Sequence, residues 1–261
     1  PFNSSGIKRV NINGVKVIPD SLFYVTSAKS STLEEIDLSG VTEIGENAFR
    51  NCATLKSVDL SSAIRIGYQA FKGCALIEEA NLSSVTDWSD PTDADTLPID
   101  DSAFDGCTSL AKVTLNNELI GLGKSVFKNC SSLTTIDVYD ASGAKTTHNE
   151  AGVATLPEAL AAIGSTCFQN TAIREITIPR GITRLPTTAT SYSSTGEVFS
   201  GCTQLETVIL HDDLTLLGSK DFMNCTSLKT VRYYNADGEL VGDENAATLP
   251  DSLTTIGSDV F

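Results

Sequence analysis

Residues 44–60 read IGENAFRNCATLKSVDL, and this stretch decides the fold because its pattern returns along the chain. An aliphatic residue and a glycine precede Phe49, Cys52 follows it by three residues, and three spaced aliphatic residues end the unit at Leu60. The unit recurs around a series of phenylalanines, namely Phe49, Phe71, Phe104, Phe127, Phe168, Phe199, Phe222 and Phe261. The shortest steps between them are 22 or 23 residues, and the steps of 31 to 41 residues contain an insertion.

One such unit cannot bury its own apolar face, so the copies must stack on one another. Stacking aligns Val58, Leu60 and their equivalents into a ladder of parallel strands roughly 4.8 Å apart. The phenylalanines then form a column behind this sheet. The sequence therefore predicts a solenoid of stacked 22–23-residue coils, mostly β, with short 3-10 or other helical turns.

The segment from Leu55 to Ala63 fits the L-x-x-L-x-L-x-x-(N/C) skeleton of a leucine-rich repeat. It departs from that skeleton at the ninth position, where the units carry an aliphatic residue, as at Val41, Ala63 and Leu214. Together with the Ile-Gly-x-x-Ala-Phe-x-x-Cys half, the pattern resembles the BspA-like leucine-rich repeats of bacterial surface proteins. The resemblance covers residues from about 33 to 261, behind a degenerate N-terminal repeat or cap over 1–32.

This resemblance implies a single leucine-rich-repeat solenoid over residues 1–261, right-handed and of the α/β horseshoe class. It also implies an extracellular or cell-surface location and attachment to a host or bacterial surface protein or glycan. Two functions stay open: a non-enzymatic binding or adhesion module, and a structural spacer domain of a larger multidomain surface protein.

Four insertions lengthen the coils near residues 86–98, 139–155, 186–196 and 234–248. All four are expected between the strand and the Ile-Gly turn, which would place them along one rim of the solenoid. Such a rim is often the binding rim, and the alternative is tolerated decoration. Two of them are related, because residues 154–158 (ATLPE) match residues 247–251 (ATLPD).

The net charge of −15 argues against nucleic acid and anionic membranes as partners, because both are negatively charged. No apolar stretch approaches the roughly 20 residues that span a bilayer, so direct membrane insertion is not expected. Solenoids need polar terminal caps, and the N-terminal unit suits this role through Lys8, Arg9, Asn11 and Asn13. Phe261 falls mid-repeat, so we expect the native chain to continue there or that edge to meet another protein surface.

Six of the seven cysteines stand three residues after the repeat phenylalanine: Cys52, Cys74, Cys107, Cys130, Cys202 and Cys225. Equivalent positions in stacked coils are about 4.8 Å apart, farther than the roughly 3.5–4.5 Å between the Cβ atoms of a disulfide. Thr26 and Thr171 fill the same slot in other units, so the position requires a small side chain and not a thiolate. A zinc site would need its ligands in a tetrahedral cluster, which a column of cysteines does not provide. We therefore expect a column of buried thiols, and no cofactor.

The sequence offers few candidate catalytic residues. Its two histidines are His148 and His211, and no hydrolase, phosphate-loop or metalloprotease motif occurs. The chain is therefore not expected to be an enzyme. The insertion at 86–98 is a weak Ca²⁺ candidate through Asp87, Asp90, Asp93 and Asp95. The alternative is a solvated acidic loop.

Alternation along the strands predicts a row of side chains on the exposed sheet face. These positions are Ser57, Asp59, Lys112, Thr114, Thr135, Asp137, Tyr139, Thr207, Ile209, His211, Thr230, Arg232 and Tyr234. The C-terminal half is richer in the residue types found at interfaces. We therefore predict a ligand-binding surface at Tyr139, Ile209, His211, Arg232 and Tyr234, with ordinary sheet surface as the alternative.

Overall fold

The computed structural model describes residues 2, 5–86, 97–140, 142–146, 153–186 and 196–261. The candidate calcium ligands Asp87, Asp90, Asp93 and Asp95 lie outside the described residues, and so does His148.

Short strands make up almost all of the regular structure. One 3-10 helix, Ala28–Ser30, is the only helix among the described residues. In chain order the strands are β1 (Arg9–Val10), β2 (Val17–Ile18), β3 (Glu35–Ile36), β4 (Glu43–Ile44), β5 (Arg65–Ile66), β6 (Glu79–Leu82), β7 (Lys112–Asn116), β8 (Gly121–Leu122), β9 (Thr135–Tyr139), β10 (Val153–Thr155), β11 (Ala162–Ile163), β12 (Glu175–Thr177), β13 (Arg184–Leu185), β14 (Thr207–His211), β15 (Leu216–Leu217), β16 (Thr230–Tyr234), β17 (Leu240–Val241) and β18 (Thr255–Ile256).

Two parallel ladders run along the solenoid. The first is the predicted strand ladder, with β1 beside β3 and then an eight-stranded sheet in the order β6-β7-β9-β10-β12-β14-β16-β17. Every pairing in that sheet is parallel except the one between β16 and β17. The second ladder is built by the aliphatic-glycine segments, in the groups β2-β4-β5, β8-β11 and β13-β15-β18. The chain is therefore a leucine-rich-repeat solenoid, as the sequence predicts.

All ten phenylalanines of the chain stand in one column. Neighbouring rings stack with centroids 5.1–5.8 Å apart and interplanar angles of 3–21° from Phe2 to Phe168 and of 1–9° from Phe168 to Phe261. Phe2 and Phe23 belong to the column, so the degenerate N-terminal unit packs as a full coil. The ring column and the ladder residues form one continuous core.

A tight turn follows the ring in most coils, and a glycine stands four positions before the ring in many of them. The residue two positions after the ring has positive φ in most coils and is always Asn or Gly there: Asn51, Gly73, Gly106, Asn129, Asn170, Gly201 and Asn224. These residue types adopt the left-handed conformation at least cost. Glycine four positions before the ring is required for a steric reason. At Gly164, for example, a Cβ would lie 2.5 Å from the backbone nitrogen of Lys124.

The cysteine column is a hydrogen-bonded packing element. All six repeat thiols are buried, and each donates to the carbonyl of the phenylalanine in the preceding coil at 3.1–3.2 Å. Burial raises the pKa of Cys52 and Cys225 to about 12 and that of Cys202 to about 11. The thiols therefore stay protonated at neutral pH and act as donors between coils.

The insertions do not all leave the coil at one phase. Those near 86–98, 139–155 and 234–248 follow a strand of the first ladder, as expected. The insertion near 186–196 instead follows β13, a strand of the second ladder, and Pro186 stands where other coils have the turn glycine. The expectation of a single rim is therefore wrong for this insertion.

Candidate binding surface

Two β-hairpins of the same design rise from the first ladder. We call the described residues 139–140 and 142–145 hairpin 1, and residues 234–240 hairpin 2. In hairpin 1 the carboxylate of Asp140 accepts hydrogen bonds from the backbone N–H groups of Ser142 and Ala144, both at 2.9 Å. In hairpin 2 the side-chain oxygen of Asn235 accepts from Asp237 at 3.1 Å and Glu239 at 2.8 Å. Such Asx-type contacts fix a tight turn.

Sequence reasoning missed these hairpins, although the signal was present. The pattern Tyr-Asx-Ala-x-Gly stands at residues 139–143 and again 95 residues later at 234–238. Its variable position x is Ser142 in the first copy and Asp237 in the second. Its glycines have φ of 79° at Gly143 and 80° at Gly238, a conformation that favours glycine. The related ATLP segments follow the two hairpins at equivalent places, since the first alanine of each pairs in parallel with the strand before its hairpin, Ala154 with Ile136 and Ala247 with Val231.

Opposite charges lie beneath the two hairpins. Asp137 on β9 is buried, and its carboxylate lies 2.8 Å from the ammonium of Lys145 and 3.3 Å from that of Lys112. At the equivalent position of β16, the guanidinium of Arg232 lies 3.6 Å from the carboxylate of Glu244. Asp137 was predicted to be exposed; it is covered because hairpin 1 folds back beside β9.

The structure brings four of the five predicted ligand-binding residues together. Ile209 and His211 of β14 pair in register with Arg232 and Tyr234 of β16. The rings of His211 and Tyr234 stack with centroids 5.3 Å apart. Tyr139 lies apart from them on β9, with β10 and β12 in between.

Tyr139 instead lines a surface pocket of about 450 Å³ on the N-terminal side of hairpin 1. The other residues that line this pocket include Asp59, Glu79, Asn81 and Lys112. The predicted five residues therefore belong to two separate parts of the face.

A cleft of about 420 Å³ lies between β14, β16 and the insertion that carries hairpin 2. We call it the C-terminal cleft; its lining residues are Glu175, Glu206, Thr207, Ile209, Lys229, Thr230, Arg232, Leu240, Glu244 and Asn245. Ile209 was predicted to be exposed but is buried in the floor of the cleft, at 9% exposure, whereas Leu240 on the wall is 41% exposed. Thr230 was predicted to be exposed but is buried, because the insertion covers it and the N–H of Asn245 donates to its hydroxyl at 3.0 Å.

Arg180 ties hairpin 2 to the neighbouring coils, and sequence reasoning did not single it out. Its guanidinium donates to the carboxylates of Asp212 and Asp213 at 3.0 and 3.1 Å and to the backbone carbonyl of Asn235 at 2.6 Å. No motif marks this residue, because its partners lie 32 to 55 positions away.

His211 sits beside this arginine. Burial, and then the positive charge of Arg180, lower the pKa of the imidazole, while Asp212, Asp213 and Glu158 act in the opposite direction. Its Nδ1 is buried without a hydrogen-bond partner in the part of the chain that the structure describes. At neutral pH the imidazole is therefore an uncharged stacking partner for Tyr234.

The described residues contain no group of three or more His, Cys, Asp or Glu side chains arranged to hold a metal ion. Over the same residues, no helix is long and apolar enough to cross a membrane.

The repeat is also identified by comparison with known families. The family model described as the BspA type leucine rich repeat region, with six copies, matches residues 1–92, 91–197 and 191–239. The chain belongs to the BspA-type leucine-rich repeat family. No curated protein matches the sequence of this BspA-type chain.

Solved bacterial leucine-rich repeat proteins resemble this BspA-type chain. A leucine-rich repeat protein from Bacteroides ovatus is 19% identical, with 96% of this chain and 83% of that chain covered and a TM-score of 0.39. The leucine-rich repeat protein of T. pallidum is 21% identical, with 85% and 78% covered and a TM-score of 0.45. A leucine-rich cell surface protein from Faecalibacterium prausnitzii is 20% identical, with 87% and 88% covered and a TM-score of 0.33.

Proposed function

We propose that this chain is a non-enzymatic, extracellular protein-binding module that attaches its bearer to a host or bacterial surface protein. The binding surface in this proposal is the first-ladder face of the C-terminal half, comprising the C-terminal cleft and the neighbouring cluster of His211, Tyr234 and Arg180. Membership of the BspA-type family supports a surface module, and the adhesive role is the finer part of the proposal.

The observation that carries the proposal is the clustering of Ile209, His211, Arg232 and Tyr234 on two adjacent strands. Aromatic and arginine side chains provide most of the energy at protein interfaces, particularly when they are partly buried and held in place. Here Arg232 and Tyr234 are half-buried on a parallel ladder, which is a rigid support. Such a surface needs little ordering on binding, and this preserves affinity.

A binding screen with a face variant and a control variant tests the proposal. The wild-type chain is immobilised and exposed to arrays of matrix proteins, bacterial surface proteins and glycans. A face variant carries His211→Ala, Arg232→Ala and Tyr234→Ala, and a control variant carries Tyr68→Ala and Arg184→Ala on or beside the second ladder. We expect a captured protein to be lost by the face variant, at least about tenfold in affinity, and kept by the control.

Three outcomes contradict the proposal. If both variants capture the partner equally well, the partner binds elsewhere. If no protein is captured and only deletion of whole coils alters function on the cell, the chain acts as a spacer, which is the second function that the sequence leaves open. If the chain captures only a glycan, its partner is a glycan and not a protein.

A further inference from the structure

Negative charge is concentrated toward the C-terminal end of the chain. Residues 201–261 carry ten Asp or Glu and three Lys or Arg, so they hold seven of the fifteen net negative charges. Residues 1–50 carry six acidic and five basic residues and are nearly neutral. The resulting field draws positively charged groups toward the end that contains the C-terminal cleft.

Within the C-terminal cleft the two cationic side chains already have partners. Lys229 lies 3.4 Å from the carboxylate of Glu206, and Arg232 lies 3.6 Å from that of Glu244. Glu175 is half-buried and has no ion pair among the described residues, and the side chain of Glu244 is 82% exposed although it pairs with Arg232. Three carboxylates, on Glu175, Glu206 and Glu244, therefore outnumber the two cationic side chains that line the cleft. The cleft also contains exposed Leu240 on its wall and the largely buried Ile209 in its floor.

The two hairpins differ in charge on the same backbone design: hairpin 1 contains one acidic and one basic residue, whereas hairpin 2 contains two acidic residues and no basic one. Hairpin 1 brings Lys145 over the face, beside Lys112. The insertion with hairpin 2 instead exposes Asp237, Glu239 and Asp243 in addition to Glu244, and its sequence has no lysine or arginine after Arg232. Because the backbone design is shared, the acidic character comes from the sequence of this insertion beside the C-terminal cleft and not from the hairpin motif.

We propose that the C-terminal cleft docks an extended, positively charged segment of the partner protein. Lysine or arginine side chains of that segment face Glu175 and Glu244, and an aliphatic side chain between them packs against Ile209 and Leu240. The inference rests on the proposed function and specifies the chemistry of its partner. The same field repels polyanions, so nucleic acids and anionic bilayers are the wrong partners for this cleft.

A synthetic peptide tests this inference without knowledge of the natural partner. The probe is a fluorescein-labelled peptide with two lysines on each side of a central valine, and its glutamate counterpart is the reference. Anisotropy is measured in about 0.02 M and about 0.15 M salt, because screening weakens attraction between exposed charges. We expect the wild-type chain to bind the lysine peptide and not the glutamate peptide, more weakly at the higher salt.

Matched triple variants separate the cleft from the overall negative charge. The cleft variant is Glu175→Gln, Glu206→Gln and Glu244→Gln, the three carboxylates that line the cleft, and the control is Glu43→Gln, Glu46→Gln and Glu78→Gln in the N-terminal coils. Both remove three negative charges. We expect about tenfold weaker binding for the cleft variant and less than about twofold for the control. The uncharged variant Leu240→Ser should also bind several times more weakly.

Equal weakening in the two triple variants would mean attraction to net charge alone and would overturn the inference, as would tighter binding of the glutamate peptide. The proposed function can fail separately. If the peptide binds the cleft as described but the screen yields no protein partner that depends on the face, the cleft chemistry stands and the adhesive role does not. If a partner is lost by the face variant but kept by the cleft variant, the adhesive role stands and the cleft chemistry does not.

Discussion

Asp221 occupies the position directly before the repeat phenylalanine, which most other coils fill with a small apolar residue such as Ala48 or Val198. Its side chain is fully buried, and the carboxylate accepts backbone N–H groups from Gly218 at 2.7 Å and Val198 at 3.3 Å. A Cβ at Gly196 would collide with this carboxylate, so the glycine makes room for it. Burial raises the pKa of Asp221 well above its usual value, against the effect of the two hydrogen bonds.

The substitution Asp221→Asn should remove a pH-dependent cost of folding. Because the folded-state pKa is raised, the contribution of Asp221 is fully favourable below the unfolded-state pKa of about 4 and is lost as pH rises toward the folded-state pKa. The unfolding free energy of the variant should therefore increase relative to that of the wild type as pH rises from about 4. Urea unfolding across the pH range measures this, and a difference that stays constant with pH would contradict it.

The ring column gives a second prediction at this scale. Phe127 is fully buried between Phe104 and Phe168, at centroid distances of 5.8 and 5.7 Å. Phe127→Ala should cost about 3–5 kcal/mol, the usual range for emptying a large core site. Since coils contact only their neighbours, hydrogen exchange should accelerate mainly in the coils on either side. Phe261→Ala is the control, because that ring is 55% exposed and should cost less. A uniform loss of protection along the chain would show that the coils are not independent.

At the scale of elements, hairpin 2 and the coil before it are joined by Arg180. A planar guanidinium can serve the three acceptors on Asp212, Asp213 and Asn235 at once, which an ammonium group cannot do in the same geometry. Hairpin 1 has a different tie, the ion pair of Lys145 with buried Asp137. The arginine thus positions the wall of the C-terminal cleft from two strands away.

Arg180→Gln should loosen hairpin 2 while leaving hairpin 1 unchanged. We expect faster amide hydrogen exchange at Glu239 and its neighbours, by about tenfold or more, with less than about 1 kcal/mol lost from global stability. Arg180→Lys should restore only part of the protection. Arg174→Gln is the matched control, because Arg174 pairs with Glu206 on the same face. Equal acceleration in both hairpins would refute a local role for Arg180.

At the scale of the whole molecule, a net charge of −15 opposes folding through self-repulsion. Raising salt from about 0.02 M to about 0.5 M should therefore increase the unfolding free energy, because it screens this repulsion. The coils of residues 201–261 should gain the most hydrogen-exchange protection, since they hold nearly half of the net charge. A uniform gain, or a gain greatest in the N-terminal coils, would contradict the charge asymmetry.

The architecture was predictable because a coil repeats its own physical requirements. Phe49 and Cys52 each pack beside their equivalents one unit away, so spacing in sequence maps directly onto contacts in space. The binding surface was only partly predictable. Alternation identified Ile209 and Arg232 as neighbours on one face, but the burial of Asp137 depends on a hairpin that folds back.

Non-repeating contacts left no periodic trace in the sequence. Arg180 follows β12 without any motif, and its importance comes from hairpin 2 returning to meet it. Asp221 breaks the repeat pattern, and the break itself was a signal. A charged residue in a column of alanine and valine marks either an exposed turn or a buried hydrogen-bonded carboxylate, and only the folded chain distinguishes the two.

The separation of hairpin 1 from hairpin 2 is a discrete quantity. Both rise from strands of the same ladder, and adjacent strands are roughly 4.8 Å apart whatever their sequence. Insertion or loss of one coil between Phe168 and Phe222 would therefore change the span between the hairpins by a whole step and leave each hairpin intact. Duplication of a coil is thus a mutation that would lengthen the distance between the two hairpins without altering the side chains that they carry.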